Sequence, residues 1–309
     1  MRASLSDVPV SFISARVSTR LVAAFLALGL AGCQSVDLSR NDLAAGLSVQ
    51  SKAPAFQVGN GEIVPVRAGS AIVVDADSGK VLFGDDPDGL RHPASLSKLL
   101  TLYLLFEAIE AKRVTLDTDL VVSTHAASRP PSKLGLRPGS TIKVRDAMYA
   151  LAVKSANDVA TVVAENLADG SEEAFARRMN MTAREIGMRR SNFVTPSGLP
   201  DDLQISTARD MAVLALQIRK RFPGFVPLFS TESFDYAGRH YVSTNKLLGR
   251  VPGVDGMKTG FVNASGFNLV ASARRNGRGV IVVVIGGQTG RARDMRVEQL
   301  IDTYLGPAT

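Results

Sequence analysis

Apolar positions between residues 71 and 304 alternate between short runs and longer helical spacings. Ala71-Ile72-Val73-Val74-Asp75 and Val81-Leu82-Phe83 are joined by Asp77-Ser78-Gly79, a turn composition, and predict a β-hairpin. Pro93 suits a first helical turn, and Leu96 to Ile109 is apolar nearly all round, which predicts a buried rather than an amphipathic helix. Helical patterns recur at 144–153, 157–168, 171–187 and 207–221, interrupted by Asp169-Gly170 and by Pro196-Ser197-Gly198. Strand-like runs follow at 239–243, 254–258, 267–273 and 279–285, then an amphipathic helix at about 291–304. Strands at both ends with helices between them predict an α/β (α+β) fold. Its antiparallel sheet is closed by distant parts of the chain, with an all-helical lobe beside it.

The first 66 residues read differently. Arg2, Arg16 and Arg20 precede Leu21–Gly32, an apolar run of 12 residues. That is too short for a bilayer span of about 20 residues and has the layout of a signal peptide, residues 1–32. The long stretch before the run places the expected start codon downstream of Met1. Leu30-Ala31-Gly32-Cys33 resembles a bacterial lipoprotein signal, which implies that Cys33 is lipidated and anchors the chain to a membrane. Gln34 after it resembles outer-membrane sorting in Gram-negative bacteria. An ordinary signal cleavage beside a free cysteine is the alternative. Residues 33–66 are polar and rich in Ala, Ser and Gly without sustained periodicity, as in a flexible tether spanning about 30 Å root-mean-square. Residues 67–305 form the folded body.

Composition narrows the chemistry. With 45% hydrophobic and 21% charged residues and a mean hydropathy of +0.10, the bulk of the chain folds. One cysteine excludes an intramolecular disulfide framework, and His92, His125 and His240 are too dispersed for a legible His/Cys metal cluster, so no metal is expected. The formal charge of +7 is scattered. Its one compact knot, Arg219-Lys220-Arg221, ends a helical pattern where cations favour the last carbonyls, so no nucleic-acid surface is evident.

Three short motifs occur in order: Ser95-Leu96-Ser97-Lys98, Ser155-Ala156-Asn157 and Lys258-Thr259-Gly260. Ser-x-x-Lys and Ser-x-Asn each arise by chance about once in a chain this long, and both recur here, at Ser140, Ser243 and Ser39. Ser95 alone opens a buried helix, and Ser155 falls between two helical patterns. Lys-Thr-Gly occurs once, at the end of a strand-like run, and by frequency appears in fewer than about one such chain in ten.

Ser95 and Lys98, three apart on a helix, share a face. A neutral hydroxyl needs a base within hydrogen-bond reach, and Lys98 qualifies if burial and a nearby Lys258 push its pKa down. The Ser155 hydroxyl can pass a proton to a leaving amine, and Asn157 can bond a substrate amide. Either could instead cap the following helix. Lys258 supplies positive charge for a carboxylate, Thr259 a hydroxyl donor, and Gly260 room for a substrate backbone.

Together the motifs resemble the active-site serine penicillin-binding protein and β-lactamase superfamily. His92-Pro93-Ala94-Ser95, Ser155-Ala156-Asn157-Asp158, Thr195-Pro196-Ser197-Gly198-Leu199, Thr207-Ala208-Arg209-Asp210 and Gly256-Met257-Lys258-Thr259-Gly260-Phe261 extend the likeness to low-molecular-mass D-alanyl-D-alanine carboxypeptidases. The resemblance implies a β-lactamase/transpeptidase-like fold with the active site between sheet and helical lobe. It implies that Ser95 attacks the penultimate D-alanine of peptidoglycan stem peptides, releases the terminal D-alanine, and leaves an acyl-enzyme for water. It also implies inhibition by β-lactam antibiotics, an oxyanion hole from the backbone N–H groups of Ser95 and Phe261, no cofactor, and a place on the periplasmic side of a bacterial membrane. The N-terminal lipid is expected to replace the C-terminal membrane helix of many relatives. Phe261 stands where relatives often have His or Tyr. Relatives often place a carboxylate-binding Arg near Arg278-Gly279, but Arg278 is given no role. A class A β-lactamase would need a Glu-x-x-Leu-Asn loop, which the sequence lacks. A DD-endopeptidase using the same residues and an inert penicillin-binding lipoprotein remain the alternatives.

Overall fold

The computed structural model describes residues 69–307. The segments read as signal peptide and tether, Cys33 among them, lie outside the described residues, as do residues 67 and 68 of the expected body. Strands β1 (Ser70–Asp75) and β2 (Val81–Asp85) form the opening hairpin, and a 3-10 turn, Ala94–Ser97, leads into α1 (Lys98–Glu110). The helical lobe follows: β3 (Asp119–Val121), α2 (Thr124–Ser128), β4 (Thr141–Lys143), α3 (Val144–Tyr149), a π-turn at Ala150–Lys154, α4 (Asn157–Leu167) and α5 (Glu172–Glu185). Helix α6 (Ala208–Arg221), a 3-10 segment at Pro223–Ser230, and the hairpin β5 (Ser233–Tyr236) and β6 (Arg239–Val242) come next. Strands β7 (Val254–Val262), β8 (Gly266–Arg275) and β9 (Arg278–Gly287) and helix α7 (Gly290–Leu305) close the body.

The main sheet has the order β2-β1-β9-β8-β7 with every pair antiparallel. Strand β1 pairs with β9 from Ser70↔Ile285 to Asp75↔Val280, so the two ends of the body close one sheet. The period-2 alternation in β9 divides two cores. Ile281, Val283 and Ile285 face the helical side with α1 and α6, whereas Val280, Val282 and Val284 pack against Val297, Leu300 and Ile301 of α7. Covered on both faces, these strands read as continuous apolar runs. Helix α1 threads the larger core, with Leu99, Leu100, Leu102, Leu105 and Phe106 fully buried.

Three local differences from the sequence reading bear on the site. Helix α1 begins at Lys98 rather than Leu96, because the Ser97 hydroxyl donates to Ala94 O at 2.8 Å and holds the preceding residues as a separate 3-10 turn. The pattern at 144–153 divides into α3 and the π-turn, which ends at Ser155 in the left-handed conformation (φ 61°, ψ 38°). Strand β7 continues to Val262, which puts Lys258-Thr259-Gly260 inside the strand rather than at its end. The short pairs β3–β4 and the strand β5 were not legible, since strands of 3 or 4 residues carry little periodicity.

Candidate active site

The turn that carries Ser95 is shaped by its neighbours. Ala94 has φ 51°, a conformation rarely adopted by residues with a Cβ, and is fully buried. Two glycines allow this. A Cβ on Gly198 would lie 1.8 Å from Ala94 O, and one on Gly260 would meet Pro93 O at 3.0 Å, Ser95 N at 3.1 Å and Leu96 N at 3.2 Å. Gly260 therefore gives room to the Ser95 turn as well, beside the room for a substrate backbone expected of it. The 3-10 geometry then eclipses residues three apart and points the Lys98 amine at the Ser95 hydroxyl, 3.0 Å away.

Lys98 Nζ has two further partners, Asn157 Oδ1 at 2.7 Å and Ser197 O at 2.6 Å, both of which only accept. A neutral amine has two N–H groups and one lone pair. When protonated, Lys98 donates to all three oxygens; when neutral, with both N–H groups given to the carbonyl oxygens, its lone pair faces Ser95 Oγ, the arrangement a general base requires. Burial pushes Lys98 well below the ordinary lysine range, the charge of Lys258 pushes the same way, and Asp158 opposes them. Burial, with the Arg293 charge adding to it, brings Lys258 down to about 7. Lys258 Nζ donates to Thr259 O at 2.9 Å.

Ser155 and Asn157 reach the same place from the lobe. The left-handed C-cap of the π-turn leaves Ser155 lining the cleft, and the N-cap of α4 is Ala156 without a side-chain bond, so neither polar side chain caps that helix. Asn157 Nδ2 donates to Pro130 O at 2.9 Å, which ties Lys98 to the loop wall at Pro131 and Ser132. That wall hangs on buried Asp158, whose carboxylate accepts from the backbone of Leu134, Gly135 and Leu136 at 3.1, 2.8 and 3.2 Å. Opposite, Gln204 accepts from Val194 N and Thr195 N and donates to Ser97 Oγ at 2.8 Å, holding the 194–198 loop against the Ser95 turn.

The cleft between lobe and sheet encloses about 560 Å³ and brings together Ser95, Ser155, Asn157, Thr259, Gly260 and Phe261, with Lys98 and Lys258 beneath. Strand β7 forms one wall and is the edge of the sheet, so its outer backbone groups are open to an added strand. Thr259 Oγ1 donates to Thr244 Oγ1 at 2.7 Å, which leaves the Thr244 proton for a ligand. Phe261 is 49% exposed and packs on Phe267, 4.4 Å between centroids. Arg278 starts β9 far from these groups and donates to Tyr304 O.

Sequence reasoning missed Thr244 and Arg293, and both line the cleft. Arg293 lies in the first turn of α7, buried, with Nε on Asp294 at 2.7 Å and Nη1 on Asn268 O at 2.6 Å. Nothing in the string Arg291-Ala292-Arg293 sets it apart, because only the antiparallel pairing of β7, β8 and β9 brings α7 to the cleft. Among the described residues no cluster of three or more His, Cys, Asp or Glu side chains could hold a metal ion.

A serine within hydrogen-bond reach of a buried lysine, opening on the edge of an antiparallel sheet beside a helical lobe, fits the β-lactamase-like fold of the penicillin-binding proteins. The chain belongs to the D-alanyl-D-alanine carboxypeptidase family, whose profile matches residues 57–289. It is 34% identical over 241 residues to D-alanyl-D-alanine carboxypeptidase DacF of Bacillus subtilis, covering 76% of this chain and 61% of the relative. It is 32% identical over 243 residues to the carboxypeptidase DacA of Escherichia coli, covering 76% and 60%. The chain thus spans about three fifths of the length of these relatives. The crystal structure of penicillin binding protein 6B from Escherichia coli superposes with a TM-score of 0.72 at 32% identity, covering 78% of this chain and 80% of that one. Penicillin-binding protein D2 from Listeria monocytogenes, solved in its ampicillin-bound form, gives a TM-score of 0.66 at 31% identity over 77% and 96%.

Proposed function

We propose that this protein is a serine-type D-alanyl-D-alanine carboxypeptidase that trims the terminal D-alanine from peptidoglycan stem peptides. The observation that carries the reading is that buried Lys98 Nζ lies 3.0 Å from Ser95 Oγ and is held there by two carbonyl oxygens, so that the neutral amine turns its lone pair to the hydroxyl. Ser95 attacks the carbonyl carbon of the penultimate D-alanine while Lys98 takes its proton. The oxyanion is held by the backbone N–H groups of Ser95 and Phe261, on either side of the contact at Gly260. The proton returns to the leaving amine through Ser155, and the acyl group on Ser95 is then hydrolysed by water. The terminal carboxylate accepts from Arg293 and from the Thr244 hydroxyl, which Thr259 orients by donating to it, with Lys258 below. Arg293 is the stronger cation here, because a lysine with a pKa of about 7 is only half charged at neutral pH.

The lining of the cleft contains no Asp or Glu. A β-lactamase of the kind that deacylates through a glutamate lacks its base in such a cleft, which favours a slowly hydrolysed acyl-enzyme with penicillins. Residues 67–305 are the catalytic domain in this reading, residues 33–66 a tether, and residues 1–32 an export signal. Cys33 then carries the lipid that holds the enzyme on the periplasmic side of a bacterial membrane.

Intact mass after incubation with a penicillin tests the acylation chemistry. One stable adduct on the wild type and none on Ser95→Ala is expected. Absence of an adduct, or rapid drug turnover, would favour the inert protein or a β-lactamase respectively.

A further inference from the structure

Lys154 is a cleft residue that the acylation chemistry leaves unused. It ends the π-turn beside Ser155, and its surroundings are built. Its carbonyl accepts from Ser132 Oγ at 3.0 Å, and Val153 O accepts from Thr244 N at 3.3 Å. Its ammonium sits over the Tyr241 ring, 5.6 Å from the centroid. Tyr241 in turn stacks on Phe234 at 5.3 Å and Phe234 on Tyr149 at 6.1 Å, so a three-ring ladder from lobe to hairpin supports the charge without neutralising it.

The charge balance of the cleft singles this group out. Arg293, the other cation in the lining, is paired with Asp294. Among the described residues no Asp or Glu forms an ion pair with Lys154. An ammonium held half-buried at the mouth of a cleft free of carboxylates attracts an anion.

We propose that Lys154 is a substrate-binding cation that takes a carboxylate of the peptide, reaching it from the lobe side of the cleft. This rests on the carboxypeptidase reading. The carboxylate has two possible sources: the C-terminus of the peptide, and the side chain of the residue preceding the D-alanyl-D-alanine pair.

The test measures release of the C-terminal residue, D-alanine or, from the amidated peptide, D-alaninamide, by the full chain as wild type, Lys154→Gln and Lys154→Arg. Three peptides are compared: one with a side-chain carboxylate before the D-alanine pair, its side-chain amide, and a C-terminal amide. Lys154→Gln is expected to raise KM about fivefold, as for a partly exposed charge pair, with kcat little changed and Lys154→Arg close to wild type. A KM rise on the two peptides that keep the side-chain carboxylate, absent with the side-chain amide, assigns Lys154 to the side chain. A rise on the first two peptides that vanishes with the C-terminal amide assigns it to the terminus, and either result supports the proposal. Wild-type turnover with KM unchanged in Lys154→Gln on every peptide, or raised equally in both variants, overturns the Lys154 assignment alone. A wild type that releases D-alanine from none of them overturns the carboxypeptidase reading as well.

Discussion

In the proposed mechanism Lys98 is a base only while it is neutral, and its neighbours decide at which pH that holds. Burial lowers its pKa, the Lys258 charge lowers it further, and Asp158 raises it. Acylation by penicillin should therefore rise with pH along the titration of Lys98, far below the ordinary lysine range. Asp158→Asn removes the one opposing charge and should move that rising limb to lower pH, which a pH–rate profile of adduct formation checks; a limb that stays put or moves up would contradict the assignment. Lys98→Met should slow acylation by about 10²- to 10⁴-fold, the usual share of a general base. Gly260→Ala would push its methyl into the backbone of Pro93, Ser95 and Leu96 at 3.0–3.2 Å, and the displaced turn should slow acylation on the order of tenfold or more with little change in fold. At this scale the sequence was most legible. Ser-x-x-Lys recurs at Ser140 and Ser243, so the spacing named Ser95 and Lys98 only together with their place at the start of a buried helix, whereas Lys-Thr-Gly is rare enough to stand out alone. The packing of Gly260 on the Ser95 turn was not legible, because it depends on which backbone packs against β7.

The loops that hold the motifs in register act as elements. Asp158 anchors three backbone N–H groups of the 134–136 loop, and Gln204 joins the 194–198 loop to the Ser95 turn. Loss of the Asp158 charge should cost about 3 kcal/mol, a fall in Tm on the order of 8 °C, because charged hydrogen bonds to a buried carboxylate are each worth about 1.5–3 kcal/mol. Thermal melting of Asp158→Asn measures this, and an unchanged Tm would show that the loop stands without it. These loops were legible in the sequence only as breaks between periodic segments. Thr195-Pro196-Ser197-Gly198 carries no period, and its part in the site comes through carbonyl oxygens, which every residue has. The long helices were plain from their spacing, and β9 from the unbroken apolar run Val280–Ile285, rich in β-branched residues and flanked by glycines.

For the whole molecule, two buried lysines link stability to pH. Lys258 has a folded pKa of about 7, against an unfolded value of about 10.4. Between those values the unfolded chain binds more protons than the folded one, so stability rises with pH across that window and the contribution is level below it. Lys98 is depressed too and adds in the same sense. Denaturant unfolding from pH 7 to 9.5 should show a rising free energy, and Lys258→Met should flatten it. A fall over this range in the wild type would contradict the buried, largely neutral state of both groups. Arg293 also belongs to this scale. It reaches the cleft because β9 pairs with β8 and β8 with β7 and α7 follows β9, an antiparallel sheet the sequence implied in outline without its register.

Release of free D-alanine from a stem pentapeptide ending in D-alanyl-D-alanine, by wild type and Ser95→Ala side by side, tests the central claim most directly. The expected result is one D-alanine released per peptide by the wild type and none by the variant. Release by Ser95→Ala at a comparable rate, or splitting of cross-linked dimers with no free D-alanine, would contradict it.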